Sequence, residues 1–408
     1  MEIMIAERLG GKQFGKSTEI YKFEKIKRAK AEAIKNNPQI PLIDMGVGEP
    51  DSPADPGVVN VLGKEAGKPE NRWYADNGIP EFQEAAAGYL ERVYGVKGLN
   101  PYKQVIHGIG SKSIFAMLPL CVINPGDVTL TTIPGYPVTA TYTRYLGGEV
   151  YQLPLAENND FFPDLDSVPA GILRKTRLLY LNYPNNPTGQ VTTKEFFKSI
   201  IEFATRYNII VIQDAAYAAL TYDGYQPLSF LSVEGSENVG VEVHSLSKAF
   251  NMTGWRLGFV AGNTKLVQAY ATIKDNTDSG QFRAIQKAGI YAMNNTHITD
   301  RICEKYSRRF DLLVNALTNV GFSVKKPKAT FYCYARCPVG TATGERFQTA
   351  TEFSEFLLKK ALISTVPWDD AGKYIRFSVT FEARDGKHEE TIIHEIQERM
   401  MRLELTFE

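Results

Sequence analysis

Four short runs, "DVTLTTIP", "RLLYLNYP", "NIIVIQDAAY" and "GVEVHSLS", constrain this chain more than any other feature, because each is largely apolar and each closes on a turn or polar residue. A strand without a polar face has to be covered on both sides. Amphipathic segments such as "TTKEFFKSIIEFATRYN" lie between the runs. Strand, helix, strand in that rhythm predicts an α/β fold with a mostly parallel central sheet flanked by helices. Sheets of this kind present their chemistry beyond the carboxyl ends of the strands, so the residues that follow each run are the ones to read for function.

Near residue 295 the rhythm changes. A long helical stretch, "ITDRICEKYSRRFDLLVNALTNVG", precedes an expected hairpin in "FSVKKPKATFYCYARC", a helix in "ATEFSEFLLKKAL", a strand in "KYIRFSVT" and a charged last helix. The expected organisation is a large domain over 43–295, a smaller α+β domain over 296–408, and a segment 1–42 packing with the smaller one. A chain of 408 residues that is 43% hydrophobic has core enough for both. Lys plus Arg equals Asp plus Glu, 46 against 46, so no global field exists to hold a polyanion and nucleic acid is not the expected partner. The opening "MEIMIAERLGGKQFGK" lacks an apolar leader, and no window approaches a membrane span; a cytoplasmic protein without a membrane partner is expected. The four cysteines fit a reducing compartment. Cys333 and Cys337 lack further ligands, and the five histidines form no ligand pair, so no metal is expected.

The strand ends carry a set of parts. "LNYPNNPTG" closes with Asn185, Asn186, Pro187, Thr188 and Gly189, which read alone is a strand-to-helix turn. "IIVIQDAAY" sets Asp214 directly after its apolar run, with Tyr217 three residues on. A carboxylate there either caps a helix or is held by a cation, since an unpaired one is desolvated at high cost. "GVEVHSLSK" delivers Lys248. In "HGIGSKSIFAMLPL", Gly108 and Gly110 precede Ser111, Lys112 and Ser113 at the start of an apolar helix. That is either a glycine-rich turn or an anion cup, and its spacing is not that of a Walker loop. "TIPGYPVTA" adds Tyr136 in a proline-braced loop.

Together these supply what pyridoxal phosphate needs: an amine for its aldehyde, an acid for its ring nitrogen, donors for its phenolate oxygen, a flat wall and a phosphate cup. In that order, and closed by "SLSKAFNMTGWRLG", they resemble the fold type I pyridoxal-phosphate-dependent aminotransferases of class I/II, over about residues 43 to 380. The resemblance implies Lys248 as catalytic amine and base, Asp214 against the ring nitrogen, and Asn186 and Tyr217 on the phenolate oxygen. It implies Tyr136 on the ring and Ser111, Lys112, Ser245 and Arg256 on the phosphate. Tyr74, in "NRWYADNGIPEF", matches the position that reaches the partner subunit's phosphate, which implies a homodimer with shared active sites. Arg376 in "YIRFS" would clamp the substrate α-carboxylate, a bidentate task suited to arginine. Gly46 in "DMGVGEP" would let the backbone close over the substrate, which Asn186 also lines.

The substrates so implied are small amino acids and 2-oxo acids, with glutamate and 2-oxoglutarate as the nitrogen shuttle. "FGKSTEIYKFEKIKRAK", "GVGEPDSPAD" and "KPENRWYADNGIPEF" are further similar to the LL-diaminopimelate aminotransferases, with Tyr21 at the position that covers the substrate. That likeness implies interconversion of LL-diaminopimelate and tetrahydrodipicolinate, in lysine and peptidoglycan synthesis. An aspartate, alanine or aromatic aminotransferase on the same scaffold is the alternative, and a carbon–sulfur lyase would keep every cofactor residue. A non-catalytic regulator would need a fused DNA-binding segment, for which the first 40 residues are too short. Arg283, in "DSGQFRAIQKAG", is a candidate for a second carboxylate clamp, and Asn185, Thr188, Trp255 and His244 read as turn and packing residues.

Overall fold

A computed structural model describes residues 3–16 and 22–407; Tyr21 lies outside them. The chain divides into two compact units, one made of Glu49–Arg308 and Pro327–Phe331, the other of Met1–Gly48, Arg309–Lys326 and Tyr332–Glu408.

The larger unit is built on a seven-stranded sheet. Its strands are β1 (Val105–Ile109), β2 (Val128–Ile133), β3 (Glu149–Pro154), β4 (Thr176–Asn182), β5 (Ile210–Asp214), β6 (Gly240–Ser245) and β7 (Leu257–Gly262). They stand in the order β1-β7-β6-β5-β4-β2-β3, and β7 alone runs against its neighbours. The four apolar runs are β2, β4, β5 and β6, and every residue of β6 and β7 is buried. Helix α1 (Gly110–Val122) lays Ile114, Phe115 and Leu118 on the core formed by Leu178, Tyr180, Ile212 and Val243. Helix α2 (Lys194–Tyr207) starts where the Thr193 hydroxyl accepts from the Phe196 N–H, and stops at Asn208 in the left-handed region. Between those signals it buries Phe197, Ile200, Ile201 and Ala204. A fully buried side chain of this kind contributes about 1.5–3 kcal/mol.

Strand direction is what positions the chemistry. Since β1 to β6 are mutually parallel, their carboxyl ends share one edge of the sheet, and the reversed β7 begins at that edge. Ile109 pairs with Leu257, Ser245 with Gly258, and Asn182 with Asp214.

The smaller unit holds a three-stranded antiparallel sheet of β8 (Tyr332–Arg336), β9 (Val366–Trp368) and β10 (Tyr374–Ser378), in the order β9-β10-β8. Ile43–Asp44 pairs in parallel with Ile363–Ser364. Helix α3 (Ala350–Ala361) opens on a capping box of Thr349 and Glu352. The fully buried Arg309 donates from Nε to Glu389 Oε1 at 2.8 Å and from Nη1 to the carbonyls of Val379 and Phe381 at 2.7 and 2.9 Å, so its charge is paired and hydrogen-bonded.

The hairpin expected over residues 322–337 does not form. Only Tyr332–Arg336 is a strand, and its partner is Tyr374–Ser378. Pro327 has no N–H to give a ladder. Beyond it the Lys328 carbonyl accepts from the Tyr222 N–H and the Thr330 N–H donates to Leu220, both at 3.0 Å, which ties 327–331 into the larger unit.

Candidate active site

One edge of the large sheet gathers most of the residues singled out above. Lys112, Tyr136, Tyr217 and Lys248 each stand three positions beyond the end of a strand, after Ile109, Ile133, Asp214 and Ser245, and Asn186 stands four beyond Asn182. Arg256 enters from the opposite direction, immediately before β7.

The glycine-rich turn and Arg256 meet in space. Gly110 adopts φ +70°, and a Cβ placed on it would stand 2.2 Å from Arg256 Nη2. Arg256 is itself left-handed, with φ 56°, and its Nη1 donates to the Thr253 carbonyl at 2.8 Å. A Cβ on Gly258 would lie 3.2 Å from the Ser111 N–H nitrogen. The amino end of α1, with Ser111 half-buried and Lys112 exposed, therefore lies against a guanidinium. Donors and positive charge converge there, as an anion requires. Ser245, next on this edge, caps the turn that carries Lys248, its Oγ accepting from the Ser247 N–H at 3.2 Å.

Asp214 is buried at the end of β5. Tyr180 Oη donates to its Oδ2 at 2.8 Å and the Ala216 N–H to its Oδ1 at 3.0 Å. Burial pushes its pKa up from an ordinary 3.8 to about 6, opposed by those two bonds and by the charges of His244 and Lys248. A carboxyl in this state gains from any cationic N–H set against it. The half-buried Lys248 has its ammonium 5.7 Å from the centroid of the Phe331 ring, and Tyr217 meets the same ring edge-on at 5.4 Å. Tyr136 contacts Phe115 edge-on at 6.4 Å.

The turn after β4 is held by Asn185, whose Oδ1 accepts from the Thr188 N–H at 3.0 Å and the Thr188 hydroxyl at 2.8 Å, while the Asn186 N–H donates to Asn182 Oδ1 at 2.9 Å. Asn185 and Thr188 thus shape the turn that presents Asn186. His244 shares a 2.6 Å bond with the buried Glu242 and stacks on Phe259 at 5.0 Å. Tyr74 is 76% exposed; its carbonyl accepts from Arg283 Nη2 at 2.8 Å, so Arg283 grips a loop backbone.

Within the smaller unit, Arg376 and Gly46 are brought together. Arg376 is 3% exposed on β10, its Nη2 donates to the Gly46 carbonyl at 3.1 Å, and its guanidinium lies 3.9 Å from the centroid of the Tyr332 ring. Stacking of this kind fixes the plane in which the fork of donors opens. A Cβ on Gly46 would meet Asp44, Ser364 and Val366 at 3.4 Å, close to ordinary van der Waals contact.

Reading strand ends alone misses Tyr180, Phe331 and Tyr332. Tyr180 carried a usable signal: it lies two residues before Asn182 and so on the same face of β4, and with Asn182 opposite Asp214 its hydroxyl reaches the carboxylate diagonally. Phe331 and Tyr332 carried none, since their neighbours come from far along the chain.

The donor set fits pyridoxal phosphate: an amine, a buried acid that gains from a cation, flanking aromatics, and a glycine-lined cup floored by a guanidinium. The chain belongs to the class I and II aminotransferases, whose family model matches residues 40–384, and these are pyridoxal-phosphate-dependent enzymes. It is 55% identical, over 99% of its own length and 98% of the relative's, to an LL-diaminopimelate aminotransferase of Methanocaldococcus jannaschii. A second LL-diaminopimelate aminotransferase, from Methanococcus maripaludis, is 53% identical over 99% of this chain and 98% of that protein. Among solved structures, substrate-bound BacF from Bacillus subtilis superposes with a TM-score of 0.88 at 32% identity, covering 100% of this chain and 99% of that one.

Proposed function

We propose that this aminotransferase interconverts LL-diaminopimelate and 2-oxoglutarate with tetrahydrodipicolinate and glutamate. The convergence of Lys248, Asp214 and the Gly110–Arg256 cup on one sheet edge carries the reaction class. Likeness over nearly the whole length to two LL-diaminopimelate aminotransferases supports the substrate.

When bound, pyridoxal phosphate supplies an aldehyde that condenses with amines and a ring that accepts the electron pair left at the substrate Cα. Lys248 Nζ takes the Cα proton and is the catalytic base. Asp214 holds a proton at the ring nitrogen, with Tyr180 fixing the carboxylate. Asn186 and Tyr217 would donate to the phenolate oxygen, Tyr136 would wall the ring, and Asn186 would also face the substrate. Ser111, Lys112, Ser245 and Arg256 bind the phosphate. Arg376 holds the substrate α-carboxylate in the plane set by Tyr332, with Gly46 beside it, and so orients the Cα–H bond. The exposed Tyr74 reaches the phosphate of a second copy, which makes the enzyme a homodimer with shared sites. The four cysteines are all free thiols, in keeping with the cytoplasm.

The test is a substrate panel with 2-oxoglutarate as acceptor: LL-diaminopimelate, meso-diaminopimelate, aspartate, alanine and tyrosine. Turnover with the LL isomer should dominate. Preference for any other donor refutes the substrate and leaves the class.

A further inference from the structure

In the larger unit a continuous run of hydrogen bonds, made by two glutamine side chains, joins the backbone at Arg256 to the loop that carries Tyr74. Gln281 Nε2 donates to the carbonyls of Trp255 and Arg256 at 2.7 and 2.8 Å. The Gln281 carbonyl in turn accepts from Gln286 Nε2 at 2.8 Å, and Gln286 Oε1 accepts from the Ile79 N–H at 2.9 Å. Gln286 is fully buried and Gln281 nearly so. The same loop is gripped from beneath. Lys274, wholly buried, donates to the Asp76 carbonyl at 2.6 Å and pairs with Asp278. Gly280 lies so close that a Cβ there would stand 2.5 Å from the Asp76 nitrogen.

This grip contrasts with what the loop displays. Trp73 and Tyr74 are 57% and 76% exposed, on a backbone held by buried amides and a buried ammonium. Ordering that many side chains costs conformational entropy. The ordering gains nothing for an aromatic ring left in water, but it does serve a ring held ready for something outside the subunit.

We propose that Gln281 and Gln286 are positioning residues that set the Tyr74 loop and the Arg256 arm as one piece. The phosphate cup of one subunit and the tyrosine it offers its partner are thereby kept in register. The inference rests on the proposed function, in which Tyr74 reaches the partner's cofactor phosphate.

The experiment titrates full-length apo-protein with pyridoxal phosphate by absorbance. Gln286→Met keeps the side-chain volume and strands the Ile79 N–H and the Gln281 carbonyl, so it should weaken binding about tenfold. In a Tyr74→Phe background the same change should add little, because its effect is delivered through Tyr74. Full multiplication of the two effects overturns the inference, as does a Gln286→Met protein with a lower melting temperature and unchanged cofactor affinity. If Gln286→Met yields no folded protein, Gln281→Met, which frees the Arg256 carbonyl at the other end of the run, should weaken binding by a like factor, and unchanged cofactor affinity in it overturns the inference. Wild-type protein that takes up no pyridoxal phosphate brings down the proposed function together with this inference. Wild-type protein that binds it no better than Gln286→Met brings down the inference alone.

Discussion

Gly110 and Gly95 offer a matched pair of substitutions that isolates the phosphate cup. Both adopt φ +70°, but a Cβ on Gly95 meets nothing within 4 Å, whereas on Gly110 it would stand 2.2 Å from Arg256 Nη2 and 2.7 Å from Cζ. Alanine at either position carries the same left-handed strain of roughly 1–2 kcal/mol. At Gly110 it also expels the end of a flexible side chain, which costs the fold little and moves the guanidinium off the cup. Losing a charge-assisted bond of about 1.5–3 kcal/mol corresponds to roughly ten- to a hundredfold in affinity. Gly95→Ala and Gly110→Ala should therefore melt at similar temperatures, while only Gly110→Ala binds pyridoxal phosphate more weakly in an absorbance titration. Equal cofactor affinity in the two variants would refute the placement of the phosphate against Gly110 and Arg256.

Two further outcomes follow from the geometry. In apo-protein the buried Asp214 keeps its proton up to about pH 6, whereas unfolded chain loses it near 3.8. The native state thus binds the extra proton between those values, and its stability falls as pH rises through that window, by roughly 3 kcal/mol in all. Asp214→Asn should remove that slope in denaturant melts of apo-protein while weakening cofactor binding, and parallel stability profiles for the two proteins would contradict it. Arg376→Lys should lower kcat/KM for amino acids by on the order of a hundredfold, mostly through KM, because the stacked fork over Tyr332 is lost. Pyridoxal phosphate affinity should stay as it was, and a matching loss there would show that Arg376 is not a substrate group.

What was legible in the sequence was whatever depends on strand ends. An apolar run fixes a buried strand, parallel strands fix a common edge, and Lys248, Asp214, Asn186 and Tyr136 are then placed by counting residues. Contacts made by side chains far apart in sequence were not legible. Phe331 lies 83 positions from Lys248, and the link between Arg256 and Ile79 runs through Gln281 and Gln286, two amides that look like ordinary polar residues in a helix start. Arg283 shows the converse. Its charge makes it a candidate carboxylate clamp, but its bond to the Tyr74 carbonyl at 2.8 Å comes only with the fold. The missing hairpin belongs with these, since two backbone bonds to Leu220 and Tyr222 claim residues 328 and 330.

The reversal of β7 also bears on how this site can change. A parallel strand in that place would need a long crossover between Ser245 and Leu257. The antiparallel one lets eleven residues leave the edge and return to it, carrying Lys248 and Arg256 on one tether clamped at both ends by the Ser245–Gly258 pairing. A tether that short cannot absorb an insertion. One added residue would rotate the lysine, the arginine or both out of phase with Asp214 and Gly110, whose strands would not follow. Variation in what this enzyme accepts is therefore expected to enter through segments anchored elsewhere, while the length of this connection stays constant.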